Sequence, residues 1–459
     1  METLAPRLSL PEAIGLSLSV ISPTVGAAFN ITLVVGAAGP AAPLAFLIGT
    51  IAIACVALSF MAFAHRVASA GSAYAFITHA FGSRAGFVAG WTLLLTYLGF
   101  ATGFAALVGS FTAAALQGLG WDIGQGWLGI GGFALLAGWW LAYRDARLAG
   151  RLMLALELAA VVGILGLCVA ILRQVELPPG HLAQSFRPST EFGGWTGLGF
   201  AMVFSILSCS GFEGAATLGE ETVNPRRNIP ITLLATVLGS GLFFVFVAYC
   251  EVAGFGADGI RRLAASQAPL DELAMRYASP QLAIGLDLLA AASCFSGIIG
   301  GLSAAARVLF ALGRAGLAPR LGAVHAVHGT PARATTVVAV LITAAYLLWA
   351  PSTGAGNFYS YTSTIGVLAL MLIYVAVGAA EIVESLRERQ LLWTAACGLG
   401  PALLLWVLYR NIWPVPEYPN NLWPYLVLAW VASALAIIRF RSGSTQPRRA
   451  AVENSVSRR

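Results

Sequence analysis

Two short runs carry the residues best able to do chemistry, and both interrupt otherwise apolar stretches. The first is Ser22-Pro23-Thr24-Val25-Gly26-Ala27-Ala28-Phe29, and the second is Leu207-Ser208-Cys209-Ser210-Gly211-Phe212-Glu213-Gly214. Pro23 removes a backbone donor and crowds the preceding turn, while Gly26, Ala27 and Ala28 leave room for the chain to open and for a ligand to approach. A half-helix restarting there offers free N–H groups and a positive dipole end, a seat for a carboxylate. In the second run, carbonyls at the end of a half-helix could accept hydrogen bonds from an ammonium. Glu213 follows directly, and an acid at that depth costs at least about 2.5 kcal/mol on insertion scales. It is read two ways, as a proton carrier or as a neutral hydrogen-bonding group within the helix packing.

The elements that position these runs follow from composition. The chain has 459 residues, 58% hydrophobic and only 10% charged, against roughly 25% charged in soluble domains. Apolar runs of about 20 residues predict spans at 12–36, 41–64, 85–116, 127–143, 151–172, 193–219, 230–254, 280–312, 334–350, 357–383, 391–411 and 422–440. The two interrupted runs fall in the first and sixth of these, a placement that points to a transporter's binding site. The reading is an all-α polytopic membrane protein of one transmembrane domain, residues 1–459, with a membrane core of about 12–440. Residues 442–459 are expected to be a disordered cytoplasmic tail, having little apolar surface to pack.

Net charge is +6, and all 26 basic residues are arginine. Basic chains invite a nucleic-acid reading. Here the arginines lie between spans, twenty on the side of the N-terminus and six on the other, so the bias places both termini in the cytoplasm. Trp413, Tyr418, Trp423 and Tyr425 suit an interfacial aromatic belt around the last external loop. Leu263 to Tyr277 reads as one amphipathic helix lying on the outer surface. The six cysteines fall within spans and the five histidines in expected loops, so no disulfide framework, metal site or cofactor is implied. An enzyme would need a clustered nucleophile and base, and a channel would need repeated filter loops or rings of like charge; neither pattern is present.

Three ordered motifs resemble the amino acid–polyamine–organocation (APC) family. Ser205 to Pro230, SILSCSGFEGAATLGEETVNPRRNIP, is similar to that family's broken helix with Gly-Phe-Glu, paired acids and Asn-Pro-x-Arg. Phe63 to Gly82, FAHRVASAGSAYAFITHAFG, resembles its first cytoplasmic loop, and Arg307 to Arg333 resembles the segment after its eighth span. The resemblance implies ten core helices in two inverted five-helix repeats, broken at helices 1 and 6, then two more. It implies an amino acid bound between the breaks. The carboxylate would meet the backbone of Thr24, Val25, Gly26 and Ala27, and the ammonium the carbonyls of Leu207, Ser208 and Ser210. This chain departs from the usual Gly-Ser-x-Ile-Gly-x-Gly-Ile-Phe in having Pro23 and Ala28. Some proton-coupled relatives carry a lysine in the fifth helix; the nearest ionisable residue here is Glu157, to which that role does not carry over.

Other acids read more plainly. Glu157 is expected to pair with Arg151 or Arg307, Asp287 to line the outer vestibule, and Glu220 and Glu221 to pair with loop arginines. The expected function is an alternating-access permease of the cytoplasmic membrane for an amino acid. Phe204, Phe212 and Tyr97, as apolar pocket walls, suggest a neutral one. Proton coupling, symport or exchange, and oligomeric state are open. The alternatives are a polyamine or amine exchanger and a membrane sensor of substrate that does not transport.

Overall fold

Inside hydrocarbon each backbone amide must bond within its own segment, so long apolar runs fold as helices. The computed structural model describes residues 9–66, 72–144, 147–177, 179–213, 222–323, 325 and 330–456. The first apolar run forms α1 (Leu10–Ile21) and, past Ser22, α2 (Pro23–Val25), a π-turn at Gly26–Asn30 and α3 (Ile31–Ala38). A 3₁₀ turn at Gly39–Ala41 leads to α4 (Ala42–Arg66), α5 (Ser72–Phe81), α6 (Ser83–Gly118), α7 (Trp127–Arg144) and α8 (Arg147–Gln174). A short α9 (His181–Ser185) precedes α10 (Gly194–Cys209), which ends in a turn over residues 210–213. The second half of the chain contains α11 (Pro225–Phe255), α12 (Ile260–Ala265), α13 (Pro269–Tyr277), α14 (Pro280–Arg314) and α15 (Ala332–Thr353). It closes with α16 (Ala355–Arg387), α17 (Leu391–Arg410) and α18 (Trp423–Val456).

Among the described residues ten helical stretches are long and apolar enough to cross a membrane, eleven if the bent pair His181–Phe192 and Gly194–Cys209 is one span. One stretch, Pro23–Ala64, runs to 42 residues. A straight helix of that length would span about 63 Å, twice the hydrocarbon thickness, and Gly39 (φ 59°) divides it. Large apolar side chains stay exposed on the outward faces, among them Phe133, Val162, Leu348 and Leu392. In water that surface would aggregate; in a bilayer it faces lipid. The protein is therefore a multi-pass membrane protein.

Lipid tails are as apolar as leucine, so helices associate through close packing and interhelical hydrogen bonds instead of water exclusion. Long α6 lies against both α14 and α16, and α4 lies against α11 and α10. At the α6–α16 crossing a Cβ on Gly99 would stand 2.5 Å from the Thr362 carbonyl, and one on Gly366 would stand 2.8 Å from the Phe100 ring. Only glycine lets these backbones approach so closely. Between the helices lie fully buried aromatics, including Tyr346, Tyr359, Tyr374, Phe29, Phe46 and Phe60.

Three expectations change. The segment Leu263 to Tyr277 belongs to two helices, α12 and α13, parted at residues 266–268 where Pro269 restarts the helix. Its apolar face (Leu263, Leu270, Leu273, Ala274) is buried, so it packs over the spans rather than floating on the surface. Trp423 leaves the expected belt, since it is buried against Trp349 and Tyr361, at 5.8 and 5.3 Å between ring centroids; Trp413, Tyr418 and Tyr425 are exposed. Helix α18 continues to Val456 through the stretch expected to be disordered. Extending a helix from an anchored span avoids a new nucleation cost.

Candidate functional site

The first break is local in origin. A residue before proline is pushed out of the α region, and Ser22 adopts a left-handed conformation (φ 52°, ψ 65°). Helix α1 therefore stops at Ile21, and Pro23 starts the next helix, where its missing N–H costs nothing. The first-turn amides must then find partners. Val25 N donates to Ser22 O at 3.0 Å, and Gly26 N to the same oxygen at 3.4 Å. Thr24 N donates to Glu157 Oε1 at 2.7 Å, and Thr24 Oγ1 donates to the same oxygen at 2.8 Å. Glu157 comes from the middle of α8, is 5% exposed, and caps the restarted helix from 133 positions away.

This corrects the expected ion pair of Glu157. Arg307 is exposed on α14, and the side chain of Arg151 lies outside the described residues. A carboxylate beside a half-helix N-terminus is held by the amide and the local dipole, so no arginine is required there.

The second break is also backbone-driven. Helix α10 ends at Cys209, Ser210 is extended (ψ 148°), and Gly211 takes φ 108°, a conformation that side chains rarely adopt. Glu213 folds back so that its Oε2 accepts from Gly211 N at 3.0 Å and from Tyr374 Oη at 2.7 Å. Each break thus has one amide bound to a buried carboxylate. Leu207 O accepts from Ser210 N at 3.1 Å. The hydroxyls of Ser208 and Ser210 donate to Phe204 O and Ile206 O, one turn back, at 2.9 and 2.8 Å. Residues 214–221, with Glu220 and Glu221, lie outside the described residues.

The two breaks are brought together. Asn30 Nδ2 in the π-turn donates to Ser208 Oγ at 2.9 Å, and Tyr359 Oη of α16 donates to Asn30 Oδ1 at 2.8 Å. Phe29 meets the Tyr359 ring edge-on at 5.5 Å. Thr24, Val25, Ala27, Leu207, Ser208, Ser210 and Glu213 are all buried, with exposures from 0 to 7%. Gly26 is buried too, and a Cβ there would stand 2.2 Å from the Phe244 ring of α11. The bare face of Gly26 is therefore filled by Phe244, not by open cavity.

Of the expected walls, Phe204 is buried, and Phe212 packs at 5.4 Å against both Phe60 and Tyr374. Tyr97 lies within electrostatic reach of Glu213. An open cavity of about 490 Å³ lies away from the breaks, where the end of α6 meets the α12–α13 hairpin. Gln117, Asp122, Gln267 and Asp271 line it. Asp287 is buried at 3% exposure, so it does not line an open vestibule.

Sequence reasoning missed Asn30, Tyr359, Tyr374 and Phe244. Asn30 carried a usable signal, an amide side chain in the middle of an apolar span. The tyrosines and Phe244 carried none, because aromatic residues are ordinary inside a helical bundle.

A family model for amino acid permeases matches residues 8–438. The chain belongs to the amino acid permease family. Among its relatives, the branched-chain amino acid permease BcaP of Lactococcus lactis subsp. cremoris is 27% identical over 376 residues, covering 77% of this chain and 76% of the relative. The BcaP of Bacillus subtilis is 25% identical, covering 70% and 71%. The low-affinity putrescine importer PlaP of Escherichia coli is 26% identical over 300 residues, covering 63% of each chain. As a permease this protein is an amino acid transporter, and its two helix breaks form a buried junction at the heart of the bundle.

Proposed function

We propose that this permease moves a neutral amino acid across the cytoplasmic membrane by alternating access, with the substrate held between the two breaks. The observation that carries the reading is the juxtaposition itself. Two interrupted helices meet in a sealed interior, tied by Asn30 and Ser208. The carboxylate goes to the restarted helix at residues 24–27, and the ammonium to the carbonyl end of α10 at Leu207, Ser208 and Ser210. Twelve spans form two inverted five-helix repeats plus two further helices, in one domain, with both termini in the cytoplasm. Apolar surroundings such as Phe204 and Phe29 favour a neutral side chain, and the BcaP relatives point the same way.

Glu213 is the group placed to carry a proton. It sits at the second break with Tyr374 as its partner, and a change in the break alters both of its hydrogen bonds. The test is uptake of radiolabelled leucine, valine and putrescine into proteoliposomes of purified protein. Saturable uptake of a neutral amino acid is expected. Uptake of putrescine alone would replace this reading with an amine transporter, and specific binding without uptake would make the protein a sensor.

A further inference from the structure

The amide that a substrate carboxylate would use at the first break is already taken by a carboxylate of the protein. Glu157 Oε1 accepts two hydrogen bonds from Thr24, one from the backbone N–H and one from the hydroxyl. Pro23 has no N–H, and Val25 N and Gly26 N are turned to the Ser22 carbonyl. Thr24 N is therefore the amide of this first turn that points at an anion. A second carboxyl group at the same end of the helix would compete with Glu157 for this one donor.

A resting place for the displaced group lies beside it. Ser293 of α14 stands next to the Glu157 carboxyl. Its hydroxyl is buried, at 4% exposure for the residue, and is turned to that carboxyl without completing a full hydrogen bond. A buried hydroxyl whose bond is incomplete gains from a partner that comes closer. Released from Thr24, the Glu157 carboxyl has Ser293 as its remaining partner.

We propose that Glu157 is a resident carboxyl group that occupies the anion seat of the first break and must leave it, keeping Ser293 as its partner, when a carboxylate-bearing substrate binds. This rests on the reading that an amino acid sits between the breaks. It makes Glu157 a competitor of the substrate carboxylate and not a contact of the ammonium. The empty transporter keeps its restarted helix capped, and substrate replaces the cap. Because Glu157 belongs to α8, occupancy of the site is thereby linked to the α8–α2 contact.

The experiment compares full-length wild type, Glu157→Ala and Glu157→Gln in detergent. Binding of L-leucine and of 3-methylbutylamine, which is leucine without its carboxyl, is measured by calorimetric titration. Removing the competitor leaves Thr24 N free, and a hydrogen bond to a charged group is worth enough to tighten leucine about tenfold in the Ala variant. Affinity for the amine stays unchanged. The Gln variant, which keeps the size but not the charge, moves leucine in the same direction by a smaller factor, and it serves if the Ala variant does not fold. Leucine binding that is unchanged or weaker in both variants overturns the proposal, as does equal tightening of leucine and amine. If wild type binds leucine and these ratios do not move, this inference alone fails. If wild type binds no neutral amino acid at all, the site reading fails and this inference falls with it.

Discussion

Tyr374 donates its hydroxyl to Glu213 at 2.7 Å, across 161 positions of sequence. The pair joins the second helix break to α16, and it has a counterpart at the first break, where Glu157 joins α8 to Thr24. In both places a helix packed against the break reaches into it with a polar side chain. A rearrangement of either break must therefore be felt by the helix beside it.

The first prediction follows from that pair. Glu213→Gln keeps size and a hydrogen-bond acceptor but fixes the group in an uncharged form. If Glu213 carries a proton during transport, the variant binds leucine yet shows a flat uptake profile between about pH 5 and 8. Tyr374→Phe removes one donor and shifts the profile without abolishing it. Parallel profiles for Glu213→Gln and wild type would reduce Glu213 to a structural hydrogen-bonding group.

Gly26 supports a prediction about packing. A Cβ there would lie 2.2 Å from the Phe244 ring, and that ring is itself stacked on Phe46 at 5.5 Å. Gly26→Ala therefore overpacks the α2–α11 contact, at a cost of about 1–3 kcal/mol. Gly26→Leu fails more severely, and for the same steric reason. Phe244→Leu introduced with Gly26→Ala should recover much of the loss, because the two residues share one space. Thermal unfolding in detergent for both singles and the double gives the coupling. Strict additivity would show that the contact does not govern stability.

How much of this could be read beforehand depends on the range of the interaction. The breaks were legible because their causes are local: Pro23 stops a helix, and Ser-Cys-Ser-Gly lets one end at Cys209. The all-helical, membrane-spanning character was legible because a bilayer sets the length of apolar runs, whereas ten or eleven such stretches, against twelve expected spans, are found among the described residues. What fills the breaks was not legible. Glu157 and Thr24 are 133 residues apart, and nothing near Glu157 marks it as a helix cap rather than an ion-pair partner. Trp423 misled for the reverse reason, since its position beside a loop suits a belt while Trp349 and Tyr361 draw it inward. The helix expected over Leu263 to Tyr277 split because Pro269 begins a new helix just after the hairpin tip at Gln267.

A third prediction concerns pH at the α12–α13 hairpin. Asp271 on α13 is half-buried beside Glu272, and burial, then that neighbouring carboxylate, raise its pKa above the ordinary Asp value. The folded protein then holds this proton more tightly than the unfolded chain does. Stability contributed here is fully present below the ordinary pKa of about 3.9 and is lost as pH rises through the raised value. Asp271→Asn should therefore weaken the loss of thermal stability on going from acid to neutral pH, and should leave the protein no less stable at pH 7. An unchanged pH dependence of unfolding would show that solvent relieves the strain on this half-exposed group.

The last prediction tests the tie between the breaks. Tyr359 Oη, Asn30 and Ser208 Oγ form a string of hydrogen bonds across α16, the π-turn and α10, and all three residues are buried. Each member is satisfied by the next, and the Ser208 hydroxyl donates its own hydrogen bond to Phe204 O. Removing one end leaves the other groups short of a partner in a place water does not reach, which costs more than the bond itself contributes. Tyr359→Phe and Ser208→Ala should each lower stability by about 1–3 kcal/mol. The double variant should lose less than the sum, because Asn30 can be stranded only once from each side and can turn when both neighbours are gone. A structural tie would stop there, but a tie spanning the substrate site should also raise the apparent KM for leucine in both single variants. Stability loss with unchanged KM would place the string outside the binding site, and full additivity would show that the two bonds act separately.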